Sequence, residues 1–416
     1  MHPGHVPINQ CAPPEKPLQT FPNRYLSAAM GLAAVLFWLL LAGVFFAYVG
    51  YPVLLLALDL FRRQRTAPAS STWPSVTLVV AAYNEAAILP GKVRNALALD
   101  YPGELRLLLV TDGSTDNSGE GVAAFPGVQV LHQPERRGKT AALNRAVAFA
   151  DTELLVFSDA NTSLPPDALR KLLRHFNDPG VGAVAGEKRV QHSSGMGFAE
   201  GWYWHYESFL KKLDARFYSV VGAAGELFAL RRPLFTVLPD DTVLDDLALS
   251  LEIGMQGKRI AYEPEAFALE APSASLDDER RRKVRIAAGA FQLLDRLSWA
   301  KLLQQPALAF QFFVRRWLRW AFCPPALPLL LLLNLLLAIG HPAALYDLLL
   351  ALQGTVYLLA GAGALLLRRN RAFFLCTVPF YFLFMNACLL EGWWRHRKGG
   401  QSVLWEKARR GREVKG

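Results

Sequence analysis

Acidic side chains follow three of the short apolar runs in the first half of this sequence. Glu85, Asp112 and Asp159 each stand within three residues of the end of such a run. A carboxylate can ligate a hard cation such as Mg²⁺ or Mn²⁺, take a proton from a hydroxyl, or cap a helix. One acid alone would more often be a cap or a turn residue, but three in succession predict a shared site.

Two adjacent carboxylates, Asp245 and Asp246, precede an apolar helical run over 248–255. A carboxylate in such a position can act as a general base toward a hydroxyl group. It can also do no more than stabilise the start of the helix, because a helix N-terminus attracts negative charge. Both interpretations stay open at the level of residue types.

The elements that must position these acids alternate between short apolar runs and helical patterns. Strands are predicted at 76–82, 105–111, 128–132 and 154–158, and helices at 86–99, 116–124, 140–150 and 165–176. This alternation predicts an α/β fold with a parallel sheet that is covered on both faces. Ligands bind at the carboxyl ends of the strands in such sheets, which brings the three acidic ends to one edge.

Two common nucleotide-binding motifs are absent from the sequence. No GxGxxG follows the first predicted strand, so a Rossmann dinucleotide site is not supported. Gly138-Lys139-Thr140 is similar to the end of a P-loop, but Gln133 stands where that motif requires its first glycine.

The composition excludes a wholly soluble enzyme. The chain has 416 residues, of which 52% are hydrophobic and 19% charged, against roughly 25% charged in soluble proteins. The net charge of +10 does not predict nucleic-acid binding, because many basic residues flank the apolar blocks, as membrane-edge anchors do. The four cysteines lack CxxC spacing, which favours packed thiols over a disulfide or a zinc site.

The first apolar block predicts one transmembrane helix over 28–60, which Pro52 could kink or end. A signal peptide is the alternative, but the run is too long for one. Arg62, Arg63 and Arg65 follow directly, which places that end of the helix and the middle of the chain in the cytoplasm.

The remaining segments complete a membrane layout. Two or three spans are predicted within 322–391, at 322–340, 343–367 and 372–390. Residues 276–320 predict amphipathic interfacial helices, including one over 304–320. Residues 1–24 predict a disordered segment and 392–416 a basic tail. Three spans would place that tail outside, against the positive-inside rule, so the number of spans stays open.

The motifs resemble those of the GT-A-fold, family 2 inverting glycosyltransferases, in particular the group related to cellulose, hyaluronan and poly-N-acetylglucosamine synthases. The likeness covers residues 75–289 and rests on three motifs: Asp112-Gly113-Ser114-Thr115-Asp116, Asp159-Ala160-Asn161 and Leu244-Asp245-Asp246-Leu247. It implies a GT-A catalytic domain (Rossmann-like, with a mostly parallel sheet) at 73–275, flanked by transmembrane helices.

The resemblance implies a role for several residues on the donor side. It places Tyr83, Glu85, Asp112, Lys139 and Asp159 at a nucleotide-sugar donor, with a UDP-sugar as the expected donor, although Lys139 could also be an ordinary surface lysine.

Asp159 and Asn161 stand where the family carries Asp-x-Asp, so the resemblance implies that they bind Mg²⁺ or Mn²⁺. Asn161 departs from that pattern, because an amide ligates without adding negative charge.

On the acceptor side, the resemblance makes Asp246 the general base and Asp245 its assistant. It places Gly225 and Glu226 against the acceptor, in a glycine-rich strand over 221–226, although residues 219–231 could otherwise form an ordinary strand. Trp202 and its aromatic neighbours could stack on sugar rings or only pack in a helix.

Arg282 and Arg285 are implied to bind acceptor or diphosphate, since guanidinium suits phosphate. Only Arg285 matches the synthases' Gln-x-x-Arg-Trp motif, and Ile286 replaces its tryptophan. Residues 279–285 could alternatively form only an interfacial basic helix.

These expectations predict a multi-pass protein of the cell (inner) membrane that transfers a sugar from a nucleotide donor to a hydroxyl of a glycan or lipid-linked acceptor. One alternative is a transferase acting on polyprenyl phosphate. Another is a degenerate domain that serves as a scaffold or sensor. Nucleic acid is not an expected partner, and the sugar, the linkage and the oligomeric state are left open.

Overall fold

The computed structural model describes residues 22–61, 73–190, 196–340 and 343–402, with the side chains of 22–27 and of residue 196 left out. The predicted disorder over 1–24 therefore lies almost wholly outside the described residues. So do positions 403–416 of the predicted basic tail.

An eight-stranded sheet forms the centre of residues 73–275, the predicted catalytic domain. Its strands are β1 Val76–Ala82, β2 Leu105–Asp112, β3 Val128–Gln133, β4 Leu154–Phe157, β5 Thr162–Ser163, β6 Val181–Val190, β7 Phe228–Arg231 and β8 Arg259–Glu270. The strand order is β3-β2-β1-β4-β7-β6-β8-β5. The four predicted strands are present and pair in parallel, which is the arrangement expected from their apolar composition.

The second half of the sheet departs from that simple pattern. β7 pairs antiparallel with both β4 and β6, and β6 pairs parallel with β8. The strand implied over 219–231 is present only at its end, Phe228–Arg231. The glycine-rich part before it forms a loop, in which Gly222 approaches neighbouring side chains so closely that a Cβ would lie 2.5 Å from Leu247.

Short helices cover both faces of the sheet, as predicted. They are α3 Leu89–Leu97, α4 Glu120–Ala123, α5 Lys139–Phe149, α6 Ala168–Leu173, α7 Met196–Phe217 and α8 Asp245–Met255. Alternate residues of β1 face opposite cores: Leu78 and Val80 pack toward α3 and α6, while Val79 packs toward α5 and α8. The predicted helix over 165–176 is α6 followed by a 3₁₀ turn at Arg174–Asn177.

Four helices are long and apolar enough to cross a membrane: Ala28–Asp59, Pro306–Gly340, Ala344–Arg368 and Phe374–Arg397. The first consists of α1 Pro22–Phe45, a π-helical turn at Phe46–Gly50 and α2 Tyr51–Asp59. Pro52 does not end this helix, because it stands in the first turn of α2, directly after the π turn. A π turn changes the backbone hydrogen-bond register locally, so a missing N–H can be accommodated there.

The remaining helices run from the sheet into the apolar region. They are α9 Leu276–Arg296, α10 Trp299–Leu303, α11 Pro306–Phe312, α12 Cys323–Gly340, α13 Ala344–Arg368 and α14 Phe374–Arg397, with a π-helical segment at Phe313–Phe322. α9 packs on α14, where Gly392 contacts Ala287. The first residues of the predicted tail, 392–397, therefore belong to α14.

The prediction of a separate interfacial helix over 304–320 is wrong. α11, the π-helical segment and α12 form one continuous helix from Pro306 to Gly340. The arginines of its polar face point into the protein: Arg315 is 2% exposed and Arg319 9%. Sequence amphipathicity identified the polar face but not what covers it, which is α7.

Arg315 joins three helices through ion pairs. Its Nε donates to Asp214 at 2.8 Å and its Nη2 donates to Glu207 at 3.0 Å, both on α7. The Tyr51 hydroxyl of α2 donates to the same Asp214 carboxylate at 2.5 Å. Gln311 adds a bond to the Asp214 carbonyl at 3.0 Å. The network holds the first apolar helix, α7 and the α11–α12 helix together.

We predict that Arg315→Met destabilises the protein strongly. Removing one partner of a buried ion pair costs about 3–5 kcal/mol, because the remaining carboxylates lose their counter-charge. The thermal unfolding midpoint in detergent should fall by roughly 10 °C at 2–4 °C per kcal/mol.

The control is Arg281→Met, since the Arg281 side chain is 71% exposed on α9. Equal midpoints for the two variants would contradict the structural role assigned to Arg315.

Candidate active site

A lysine and a carboxylate meet at the carboxyl end of the sheet. Asp159 follows β4, and Lys139 is the first residue of α5. Lys139 Nζ donates to Asp159 Oδ1 at 2.8 Å, and both side chains are about 30% exposed. This pair is therefore accessible from the cleft above the strand ends.

Asp246 lies beside this pair and is held at both oxygens. Oδ2 accepts from the Gly225 N–H at 2.8 Å, and Oδ1 accepts from the Leu247 N–H at 2.7 Å. A Cβ on Gly225 would lie 3.3 Å from Lys139 Nζ and 3.4 Å from Asp246 Oδ2. A side chain at this position would displace the lysine slightly, so Gly225 allows Lys139 and Asp246 to approach the loop closely.

The glycine-rich loop is fastened to the helix that carries Asp246. Ser250 on α8 accepts from the Ala223 N–H at 3.0 Å and donates to the Asp246 carbonyl at 2.7 Å. Lys139, Asp159, Gly225, Asp245 and Asp246 consequently line one cleft. The predicted convergence of Asp159 and Asp246 is present in the structure.

Asp112 positions Lys139 by binding the backbone just before it. The Asp112 side chain is buried, and its carboxylate accepts from the Arg137 N–H at 3.0 Å and the Gly138 N–H at 2.7 Å. Gly138 has φ +105°, a conformation that favours glycine and directs both amides at Asp112. The structure thus gives Asp112 a role in starting α5, and its contact with a donor stays a prediction.

The ends of β1 and β2 are bound to each other. The Glu85 N–H donates to Ser118 Oγ at 2.9 Å and the Ala86 N–H donates to Asp116 Oδ2 at 3.0 Å. The Arg136 guanidinium lies 3.6 Å from the centre of the Tyr83 ring. Arg136 stands next to residues singled out in the sequence but was not assigned a role. The donor contacts of Tyr83 and Glu85 stay predictions.

Asn161 and Glu226 belong to a buried polar chain. Asn161 Nδ2 donates to Glu270 Oε1 at 2.9 Å, and the Lys188 ammonium contacts both Glu270 and Glu226. Burial raises the pKa of Glu226, but the charge and hydrogen bond of Lys188, together with the charge of Arg282, hold that pKa well below its usual range.

The two arginines differ in their surroundings. Arg282 contacts Glu200 at 2.6 Å and Glu279 at 3.2 Å, so its charge is already opposed. Arg285 faces the charges of Asp245 and the cleft carboxylates without an ion pair within 4 Å among the described residues, and desolvation lowers its pKa. Arg285 is therefore better placed than Arg282 to meet a diphosphate.

The cleft holds more negative charge than the nearby lysine can balance. Desolvation and the charge of Asp245 raise the pKa of Asp246 to about 7, against the opposing effect of Lys139. Desolvation also raises the pKa of Asp159, and Glu226 adds to the effect. Desolvation lowers the pKa of Lys139, but Asp159, Asp245 and Asp246 together raise it above its ordinary value. A further cation would be stabilised here.

The residues present fit a divalent cation at Asp159. Asp159 offers a carboxylate oxygen, and because Asn161 donates through its nitrogen, its amide oxygen is left to ligate. Within the part of the chain that the structure describes, no three His, Cys, Asp or Glu residues cluster as a complete ligand set. Mg²⁺ and Mn²⁺ sites that act on nucleotides commonly use one or two protein oxygens and complete the shell with phosphates and water.

Lys92 supports the Asp159–Asn161 turn and was missed in the sequence. Its ammonium is buried and donates to Ser158 Oγ at 2.7 Å and to the Thr162 carbonyl at 2.9 Å. Desolvation lowers the pKa of Lys92 to about 7, while the charge of Asp159 opposes this shift. The available signal was a lysine on the apolar face of α3, one turn after the buried Leu89.

A cavity of about 660 Å³ lies on the other side of Asp246. Gly222 and Glu226 line it at the end near Asp246, and α14 lines it at the opposite end. The cavity thus connects the cleft carboxylate to a helix that is apolar enough to span a membrane.

Comparison with known proteins identifies the catalytic half. Residues 77–238 match the family described as Glycosyl transferase family 2. The chain is 27% identical over 229 residues to a poly-beta-1,6-N-acetyl-D-glucosamine synthase of Staphylococcus aureus (strain COL), covering 53% of this chain and 55% of that protein. It is also 27% identical over 243 residues to an N-acetylglucosaminyltransferase of Rhizobium sp. (strain N33), covering 54% of each. The chain spans about half the length of these curated relatives.

A solved structure extends the similarity to most of the chain. The mannosyltransferase PcManGT from Pyrobaculum calidifontis, in complex with GDP-Man and Mn²⁺, superposes with a TM-score of 0.67 at 25% identity. The match covers 88% of this chain and 99% of that one. The predicted GT-A fold, flanked by four candidate membrane helices, is confirmed. These comparisons test no residue's role, so the roles of Asp245, Asp246, Arg282 and Arg285, which lie beyond residues 77–238, and those of the donor-side residues all stay predictions.

We predict that Lys92→Met weakens Mn²⁺ binding by about 10–100-fold, the usual effect of removing a group that orients a ligand. The measurement is a Mn²⁺ titration of the purified protein followed by electron paramagnetic resonance.

Arg94→Met is the matched control, because Arg94 is exposed on the same helix. A Lys92→Met variant that binds Mn²⁺ as tightly as Arg94→Met would refute the positioning role.

Proposed function

Because residues 77–238 form a glycosyl transferase family 2 domain, we propose that this chain is a membrane-bound inverting glycosyltransferase. It transfers a sugar from a nucleotide donor to a hydroxyl of a glycan or lipid-linked acceptor, in polysaccharide or glycolipid synthesis. The observation that carries this proposal is the position of Asp246, which lies between the Lys139–Asp159 cleft and the 660 Å³ cavity.

The proposed reaction is a single displacement at the anomeric carbon of the donor sugar, with Asp246 as the general base. The acceptor hydroxyl enters from the cavity and gives its proton to the Asp246 carboxylate. Its oxygen then bonds to the anomeric carbon from the face opposite the diphosphate. The bond between that carbon and the diphosphate oxygen breaks, and the electron pair leaves with the nucleoside diphosphate. The anomeric configuration inverts.

Cationic groups on the cleft side receive the departing charge. Lys139 and Arg285 are placed to contact the diphosphate, and Asp159 with the amide oxygen of Asn161 would hold Mg²⁺ or Mn²⁺. The ion would supply positive charge to the leaving diphosphate. Desolvation and the charge of Asp245 keep the pKa of Asp246 at about 7, where a carboxylate is a stronger base than at its ordinary pKa.

The donor is proposed to be UDP-linked. The sequence relatives are named for N-acetylglucosamine, whereas the structural neighbour was solved with GDP-Man. A donor screen should therefore contain UDP-N-acetylglucosamine, UDP-glucose and GDP-mannose, each with and without Mn²⁺ or Mg²⁺. Release of nucleoside diphosphate is the readout, and none above background with any donor would exclude the proposal in favour of a scaffold or sensor.

We propose an inner-membrane, multi-pass location with the catalytic domain on the cytoplasmic side. The four apolar helices support the membrane association, and the arginines after the first helix support the orientation. A cytoplasmic domain has access to soluble nucleotide sugars and to lipid-linked acceptors at the same surface.

A polyprenyl phosphate acceptor is the second candidate, because cationic side chains line the cavity beside Asp246. Asp246→Asn separates the two. A hydroxyl acceptor needs a base, so transfer of radiolabelled sugar into lipid or polymer should fall by about 10²–10⁴-fold.

A phosphate acceptor is already ionised, and substantial residual transfer would support it instead. Asp151→Asn is the control, since Asp151 is an exposed acid just before β4, at the end of that strand opposite Asp159.

We also predict an acidic limit on the reaction. Asp246 must be ionised to accept a proton, and a pKa near 7 means that kcat/KM should fall tenfold per pH unit below about 7. In Asp245→Asn this acidic limb of the kcat/KM profile, the region where the rate falls, should move to lower pH, because a neighbouring negative charge that raises the pKa of Asp246 is removed. The measurement is kcat/KM between pH 5 and 9, and a limb that stays in place would argue against Asp246 as the titrating base.

A further inference from the structure

The cavity beside Asp246 has an excess of positive charge. Seven Lys and Arg side chains line it, against three Asp and Glu side chains. Five of the cations are held in ion pairs: Lys188, Arg282, Lys283, Arg315 and Arg319. Carboxylates oppose the charges of these five residues, so the excess positive charge of the cavity does not come from them.

Lys211 and Arg316 are the remaining two cations. Within the described parts of the chain, neither has an ion-pair partner within 4 Å or a hydrogen bond from its charged group. Lys211 is only 5% exposed. Arg316 Nε is buried and makes no hydrogen bond, and the guanidinium stacks over Trp320 at 5.3 Å. An arginine keeps its charge when buried, so this cavity wall favours an anion.

A third donor without an acceptor faces the same region. Trp204 Nε1 is buried without a hydrogen-bond partner in the structure. The ammonium groups of Lys188, Lys211 and Lys283 surround the Trp204 ring at 5.0, 5.8 and 5.7 Å. Cations and an indole N–H offer only donors, and an anion with several oxygens can satisfy them together.

The opposite wall of the cavity belongs to α14 and is mostly apolar, with Thr377, Tyr381 and Asn386 as its polar side chains. Phe374, Val378, Phe382, Met385 and Leu389 line it at helical spacing, over about 22 Å at 1.5 Å per residue. Phe374 packs against Trp202 with ring centroids 4.8 Å apart, and both side chains are more than 40% exposed. This stripe is long enough for a hydrocarbon chain and ends at exposed aromatic side chains.

We propose that the acceptor is an anionic amphiphile, whose phosphate or similar anion binds between Arg316 and Lys211 while its hydrocarbon chain lies along α14. This rests on the proposed function and narrows its acceptor class. The anion is a recognition group, and the hydroxyl that reacts lies nearer Asp246. A neutral glycan would leave the buried Lys211 and the half-buried Arg316 without an anionic partner, which is energetically unfavourable.

The test measures binding to the full-length protein in phosphatidylcholine nanodiscs. Dodecyl phosphate is the anionic amphiphile, inorganic phosphate the free anion, and dodecyl maltoside the neutral amphiphile. Tryptophan fluorescence reports occupancy, because Trp204 and Trp320 line the cavity. Saturable quenching is expected with dodecyl phosphate, at a concentration at least tenfold below that needed with either of the other two.

Substitutions locate the anion. Arg316→Gln and Lys211→Met should each raise the Kd for dodecyl phosphate by about tenfold or more, and Arg316→Lys should retain most of the binding. Arg281→Gln, an exposed arginine outside the cavity, should bind as the unmodified protein does. The thermal unfolding midpoints of Arg316→Gln and Lys211→Met in detergent should match that of the unmodified protein, which shows that their fold is intact.

The outcomes separate this proposal from the general one. Unchanged Kd values in both cavity variants would overturn the anion site. If inorganic phosphate binds as tightly as dodecyl phosphate, the hydrocarbon chain is not recognised and the amphiphile proposal fails. If dodecyl maltoside binds as tightly as dodecyl phosphate, the anion is not recognised and the role of charge fails. If the unmodified protein releases no nucleoside diphosphate from any donor, the transferase proposal fails, while dodecyl phosphate binding still decides whether the cavity takes an anionic amphiphile.

Discussion

The buried ion pairs of Arg315 are the constraint on which the arrangement of this protein depends. One guanidinium, 2% exposed, contacts Glu207 and Asp214 on α7, while Tyr51 of the first apolar helix shares Asp214. Charges in such surroundings tolerate little displacement, because an unpaired buried charge is costly. The sheet, through α7, therefore has a defined position relative to two of the apolar helices. The cavity between them can have fixed walls.

The cleft at the strand ends follows a different electrostatic rule. Lys139 is the cation closest to Asp159 and Gly225, and it also offsets the charges of Asp245 and Asp246. Desolvation raises the pKa values of Asp159 and Asp246, and neighbouring carboxylates add to this effect because one lysine cannot neutralise them all. A divalent cation on the donor side would stabilise the excess negative charge of this site. On the acceptor side, Asp246 can act as a base near neutral pH. The same shortage of positive charge thus supports both cation binding on the donor side and proton transfer to Asp246 in the proposed reaction.

Asp246 owes its position to a loop without side chains and to the start of a helix. The Gly225 N–H and the Leu247 N–H hold its two oxygens, and Ser250 connects the loop to α8. This geometry combines the two interpretations left open by the sequence, since the acid stands at a helix start and also separates cleft from cavity. An acceptor that reaches it from the cavity passes cations on one wall and the apolar face of α14 on the other. A lipid-linked molecule matches that combination better than a soluble sugar does.

The amino-acid sequence determined the parallel strands β1 to β4, the acidic residues at their ends, the apolar blocks that flank them and, through the family resemblance, Asp246 as a candidate base. These follow from local patterns: apolar periodicity, strand–helix alternation and motif spacing. Only the tertiary structure decided which charges are available. Arg282 is opposed by Glu200, 82 residues away in the chain, and Lys92 supports a turn 66 residues further on. Arg315 and Arg319 face α7, because the helix that the sequence placed at the interface continues without a break. A local pattern shows that a helix has a polar face, but the partner of that face is set by packing between distant segments, and the availability of each cation follows from that partner.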